Sequence, residues 1–327
     1  MLRYTLIRLA MMVPAFIGIT LVCFVVLHLS PGDPTSKLTD LNPKASPTYR
    51  QRLKEIYGLD KPLHVQYVNW VSSLVRLDLG RSFALDRRPV LDKITERLPV
   101  TLAMNLVSMA IILMVSLPLG LFAAVRAGGA FDKTTTVIVF VCFAAPSFWL
   151  ALLAMQLFGI KLQWLPISGL TSLGFENFTA WGKFKDLASH LALPILISSL
   201  TSLASISRYL RSNMIDIIRQ DFLTTARAKG LPERVVIWKH ALRNALIPVI
   251  TILGLSVPGL VAGSVIMETT FAIPGLGLLF YEAAVQYDYP VVMGALVMGA
   301  VLTLLGNLLA DIGYAIADPR IRDQAFK

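Results

Sequence analysis

Few residues of this chain could do chemistry, and their spacing narrows what that chemistry is. Asp311 is the only acid well inside an apolar run, one that stretches from Tyr289 past Asp311 to about Ile316. Such an acid suits either a proton site or a helix-pairing contact near the membrane surface, since a mid-bilayer charge costs about 2.5–3.5 kcal/mol on insertion scales. Seven residues before Asp318, it sits about 10 Å deep at about 1.5 Å per residue, close to the interface. His28, His64, His190 and His240 are scattered over different segments and offer no metal-ligand spacing. Cys23 and Cys142 both lie in apolar runs and read as small packing residues, with no disulfide or metal framework. Nothing reads as catalytic, and no GxxxxGK[ST] loop is present to bind nucleotide. Ser198, Ser202 and Ser205 stand at i, i+4 and i+7 with Thr201 beside them. Small residues so spaced serve either close helix packing or the lining of a polar pathway. Gly259 and Gly263 form a small-xxx-small pair that reads as packing.

The elements that must position these residues are membrane spans. Hydrophobic residues make up 55% of the 327 positions and charged ones only 15%, with a mean hydropathy of +0.66. Soluble domains average about 25% charged. Five stretches of spanning length lack Asp, Glu, Lys and Arg: Leu9 to Gly32, Leu98 to Val125, Thr134 to Ile160, Leu187 to Ser207 and Asn244 to Met267. The run from Tyr289 makes six, each near the roughly 20 residues that cross about 30 Å of hydrocarbon. Leu162 to Phe175 and Thr269 to Tyr281 are shorter, hold Pro and Gly, and read as interfacial or re-entrant. The expected fold is an all-α membrane protein with a long external loop after the first span. The first apolar run exceeds the roughly 7–15 residues of a signal core and reads as an uncleaved anchor behind Arg3 and Arg8.

Loop charge sets the expected orientation. The fourth-to-fifth connection carries eight basic residues, whereas Glu268 to Pro290 carries none. By the positive-inside rule the basic connection and both termini are expected to face the cytoplasm. The expected division is a cytoplasmic stub 1–8, a first span 9–30, an external segment 31–97, a transmembrane domain 98–316 and a cytoplasmic tail 317–327. Within the domain, spans fall at about 98–125, 134–160, 187–207, 244–267 and 289–316, with a cytoplasmic loop at 208–243. The external segment holds twelve basic and eight acidic residues and exceeds the loop length to which the rule applies. It reads as a folded cap. Ser46-Pro47 suits a helix start, Gly58 its end and Pro62 the start of a second helix. On that helix Val68, Val71 and Val75, with Trp70 and Leu74, make an apolar stripe. Such a cap either seals a pore mouth or docks an external partner.

The densest charge lies in "DFLTTARAKGLPERVVIWKHALRNALIPV", Asp221 to Val249. Asp221 can cap a short helix through Ala228, Gly230 can supply a left-handed stop, and Pro232 can open the next helix. A basic helix lying on headgroups would explain the charge alone. DNA binding is disfavoured by the six spans around it.

This stretch resembles the cytoplasmic "EAA" loop of bacterial ABC importer permeases, in the dipeptide/oligopeptide/nickel branch. The matching positions are Thr224, Thr225, Ala226 and Gly230, within "TARAKG". The Glu and first Ala of the general pattern are absent. Its Ile-x-Leu-Pro slot reads His240-Ala241-Leu242-Arg243, the proline coming later at Pro248. "SPGDP" (Ser30 to Pro34), "YGLDKPLHVQYVNWV" (Tyr57 to Val71), "LDLGRSF" (Leu77 to Phe83), "ETTFAIPGLGLL" (Glu268 to Leu279), "DYPVV" (Asp288 to Val292) and "DPRIR" (Asp318 to Arg322) extend the resemblance over nearly the whole chain. It implies a type I importer permease fold and a permease for small peptides, with nickel or glutathione as alternatives. It implies no cofactor in this chain, ATP being bound by partner subunits. The implied partners are a second homologous permease, two ABC ATPases, an extracytoplasmic solute-binding protein and the lipid bilayer, with no nucleic acid. Thr224, Thr225, Ala226, Arg227, Ala228, Lys229 and Gly230 would form the coupling helix and its turn. Compact Ala226 and Ala228 would seat in an ATPase groove, and Arg227 and Lys229 would pair with its acids or with lipid phosphate. The rival classes are a proton-coupled carrier using Asp311 and a membrane receptor using the external segment.

Overall fold

The computed structural model describes residues 2–29, 51–52, 55, 58–256, 259–262 and 264–317. The expected helix start at Ser46-Pro47 lies outside them, as does Gly263. In chain order the main helices are α1 (Leu2–Leu29), α2 (Leu63–Val75), α3 (Val90–Val125), α4 (Ala130–Ala144), α5 (Ser147–Ala154), α6 (Ala180–Ile218), α7 (Asp221–Ala228), α8 (Leu242–Ser256), α9 (Leu276–Val285) and α10 (Tyr289–Ala317). Short turns lie at Gly259–Ala262 and Val265–Thr270. Among the described residues, β pairing is confined to a bridge between Arg81 and Pro89. In hydrocarbon every backbone group must be satisfied within its own segment, which favours helices from these apolar runs.

Among the described residues, four helices are long and apolar enough to cross a membrane, at Thr5–Leu29, Val90–Val125, Ala180–Ile218 and Tyr289–Leu309. The span expected at 134–160 is instead a bent pair, α4 and α5 with its π-helical extension to Lys161, turned by 99°. Pro146 explains the break: it lacks an N–H, and it drives Ala145 to an extended ψ of 133°. In the stretch expected at 244–267, residues 244–256, 259–262 and 265–267 are helical. A short helix from Glu233 and a π-turn at Val236–Ala241 lead into α8, whose 15 residues reach about 22 Å. Both α3 and α6 overrun their expected spans, and α6 carries eleven residues of the 208–243 loop as continuous helix.

The chain divides into two compact units. The first comprises Met1–Thr101, Val261–Val265 and Pro274–Lys327. In it α1 packs along α10, and Arg8 meets Asp311 at 3.1 Å. The acid singled out by sequence is thus engaged in helix pairing. Helix α2 docks on α1 through part of the expected stripe, with Tyr67 added and two of its valines left out. Tyr67, Trp70 and Val71 are half-buried and Leu74 buried, whereas Val68 and Val75 are exposed. Tyr67 Oη lies 3.1 Å from Thr20 Oγ1, and Phe24 stacks among His28, Tyr67 and Trp70. Aromatic contacts outweighed the valines in choosing the face. Buried Asp288 accepts from the Ser82 hydroxyl and from Phe83 N–H at 2.9 Å, and Lys93 donates to Ser82 Oγ at 2.9 Å. "LDLGRSF" and "DYPVV" are therefore two halves of one contact.

The second unit comprises Leu102–Leu260 and Ile266–Ile273. Its core gathers Ile112, Leu121 and Ala124 of α3, Ile206, Leu210 and Met214 of α6, Leu223 and Ala226 of α7, and Ala245 and Val249 of α8. Thr179 caps α6, accepting from Gly182 N–H at 3.2 Å. Helices α3 and α6 touch at Gly120, where an added Cβ would fall 2.6 Å from the Ser207 carbonyl oxygen.

Candidate coupling site

The stretch from Asp221 folds as a helix, a left-handed turn and a second helix. Gln220 occupies the N-cap without a side-chain bond, so Asp221 is the first helical residue and not the cap. Its charge still complements the helix N-terminus. Gly230 takes φ +77°, the left-handed stop expected of it, and its N–H donates to Arg227 O at 2.9 Å. Pro232 stands one residue before the next helix, and its carbonyl accepts from Val235 at 2.8 Å.

Helix α7 has two unlike faces. Leu223 and Ala226 are buried, at 0% and 9% exposure, against Leu210, Met214, Val236, Ile237 and Ala241. Ala226 therefore packs largely against this chain's own core, where the expectation had its small side chain meeting a partner. Phe222, Thr224, Thr225, Ala228, Lys229 and Gly230 face outward, as does Leu231. Arg227 is engaged within the loop: Nη2 lies 2.9 Å from Glu233 Oε1, and Nε lies 3.1 Å from Oε2. That hydrogen bonding holds the Glu233 carboxyl below its usual range and raises the Arg227 guanidinium. Lys229 is left at the exposed end of the helix.

The serine stripe on α6 is also two-sided. Ser202 and Ser205 are exposed, whereas Ser198 and Thr201 are half-buried. Close packing falls to serines that sequence reasoning passed over: Ser199 Oγ donates to Ile195 O at 2.7 Å, and Ser207 sits beneath Gly120. Ser199 and Ser207 stand eight residues apart, about two helical turns, and that spacing would have found them. Among the described residues, no atom lies within 4 Å of the Cβ position at Gly259. Among the described residues, no group of three or more His, Cys, Asp or Glu could hold a metal ion. His28 and His190 are instead tied locally, the first to Phe24 O and Gln66, the second to Asp186 O.

Long apolar helices joined by a basic, two-faced helical loop define an integral membrane protein. Comparison with known proteins makes this specific. Residues 116–323 match the family described as binding-protein-dependent transport system inner membrane component, and residues 1–105 match the N-terminal region of such components. The chain belongs to this family and is a multi-pass inner-membrane part of a transport system. It is 43% identical over 321 residues to the oligopeptide transport system permease protein AppB of Bacillus subtilis (strain 168), covering 98% of this chain and 99% of that protein. It is 36% identical over 338 residues to the dipeptide transport system permease protein DppB of Escherichia coli (strain K12), with coverage of 98% and 99%. The di/tripeptide transport system permease protein DppB of Pseudomonas aeruginosa (strain UCBPP-PA14) is 37% identical over 337 residues, covering 99% and 100%. Among solved structures, the inward-facing MetNI methionine ABC transporter aligns with a TM-score of 0.54 over 68% of this chain and 94% of that one. At 19% identity the last is a likeness of fold.

Proposed function

We propose that this chain is the permease subunit forming half of the translocation pathway of an ATP-driven importer for small peptides. The full-length likeness to permeases named for oligopeptides, dipeptides and di/tripeptides carries the substrate class. The outward face of α7, with Thr225, Ala228, Lys229 and Gly230, is its contact with a separate ATPase subunit. Thr224 adds to that contact from the same outward face, and Ala226 and Arg227 shape it from within the loop. A homologous second permease, two ATPases and an extracytoplasmic binding protein complete the assembly. The exposed Ser202 and Ser205, uncovered on an apolar span, face the pathway or the second permease. Both termini and the 208–243 loop lie in the cytoplasm, and the 58–89 region lies outside as a cap. The engagement of Asp311 by Arg8 disfavours the proton-coupled alternative.

The test is uptake into proteoliposomes holding the full complex with its binding protein. Labelled di- and oligopeptides should accumulate only with internal ATP, and nickel and glutathione should not. Uptake driven by a proton gradient without ATP would sink the reading.

A further inference from the structure

Asp132 lies in the first turn of α4 and is 3% exposed. It receives Arg211 of α6 through two nitrogens, Nε to Oδ1 and Nη2 to Oδ2, the latter at 2.7 Å. Gly128 N–H donates to Oδ2 at 2.8 Å. One turn along α6, the Arg208 guanidinium lies 4.0 Å from the Phe140 ring centre of α4. The other flank of α6 at this level is apolar: Leu210 and Met214, both fully buried, belong to the cluster that seats Leu223 and Ala226 of α7. The end of α6 is therefore held by α4 through charge and by α7 through packing. Arg211 precedes the start of α7 by ten residues, and α4 ends at the Pro146 bend.

A two-pronged guanidinium–carboxylate contact fixes orientation as well as distance. Separating it would strand an enclosed carboxylate, whereas apolar faces can slide. We propose that the Asp132–Arg211 pair is a positioning contact that makes α4, α6 and α7 move as one body, delivering displacement of α7 to the bent span. The proposal rests on the reading of α7 as the ATPase contact.

The test uses the complete importer in proteoliposomes and reads ATP hydrolysed per peptide imported. Asp132→Asn and Arg211→Gln should each raise that ratio about tenfold, a typical coupling magnitude, with basal hydrolysis retained. The exchanged pair Asp132→Arg/Arg211→Asp should bring it back toward wild type. A wild-type ratio in both single variants, or import and hydrolysis falling in parallel, would overturn the proposal. Should the single variants not assemble, Asp132→Cys/Arg211→Cys in a background with Cys23 and Cys142 replaced by alanine decides the matter. Joining the two thiols with a short bis-thiosulfonate should restore import, and a joined complex that stays uncoupled refutes the contact. An Ala228→Cys cross-link to the ATPase is measured in parallel on an otherwise wild-type permease. Its absence means that the reading of α7 has failed, whereas its presence with unchanged coupling in the variants means that only the ion-pair role has failed.

Discussion

Ala226 and Ala228 are two residues apart on α7, yet they face opposite environments, the first against Leu210 and Met214, the second exposed. A charge at each position should therefore fail differently. Ala226→Glu forces an unpaired carboxylate and extra volume into the permease's own core, where overpacking alone costs about 1–3 kcal/mol and the stranded charge adds more. Its melting temperature in detergent should fall before any partner is added. Ala228→Glu should leave that temperature unchanged and abolish co-purification of the ATPase. Equal melting temperatures for the two variants would contradict the assignment of faces. The turn at Gly230 was legible in sequence because a left-handed residue after a helical run asks for glycine. The inward direction of Ala226 was not, since a small residue suits a partner's groove and the protein's own core equally well.

At the scale of elements, the apolar runs marked where helices form but hid their shape. Residues 134–160 carry no charge and read as one helix, yet Ala145 and Pro146 turn it by 99°. The proline was visible; its effect was not, because α1, α6 and α8 also contain prolines and continue through them. Neighbouring helices and local adjustments re-satisfy a freed carbonyl in some places and not in others, a tertiary matter. Packing between helices is similarly hidden in sequence, as the Gly120–Ser207 contact shows. Gly120→Ala places its methyl 2.6 Å from a backbone oxygen that has no side-chain freedom to yield. Destabilisation of about 1–3 kcal/mol is expected, measured as a lowered unfolding temperature of the purified permease. An unchanged temperature would mean that α3 and α6 lie farther apart.

For the whole molecule, charge distribution is the ground for the proposed orientation, and the family's motifs carried the class. What they could not carry was which distant motifs meet, and Ser82 with Asp288 answers part of that, 206 residues apart. Orientation is open to a direct check at described positions. Leu85 is 85% exposed in the proposed outer cap, and Gly230 is exposed in the proposed cytoplasmic loop. In intact cells of a cysteine-free background, Leu85→Cys should react with impermeant thiol reagents, and Gly230→Cys should react only after the membrane is opened. The reverse pattern would invert the topology.

The Arg8–Asp311 contact has a consequence for biosynthesis. These two residues belong to the first and last long helices, so the ribosome releases them at opposite ends of its task. During synthesis Arg8 waits, without this counter-charge, for as long as the intervening chain takes to be threaded into the bilayer. Arrival of Asp311 then joins α10 to α1, and a chain without that contact should be treated as unfinished. A chain truncated before α10 should be cleared by membrane proteolysis faster than the full-length protein in pulse-chase experiments. Asp311→Asn should shorten the lifetime of the otherwise complete chain in the same direction. Equal lifetimes for Asp311→Asn and wild type would show that the ion pair plays no part in marking completion.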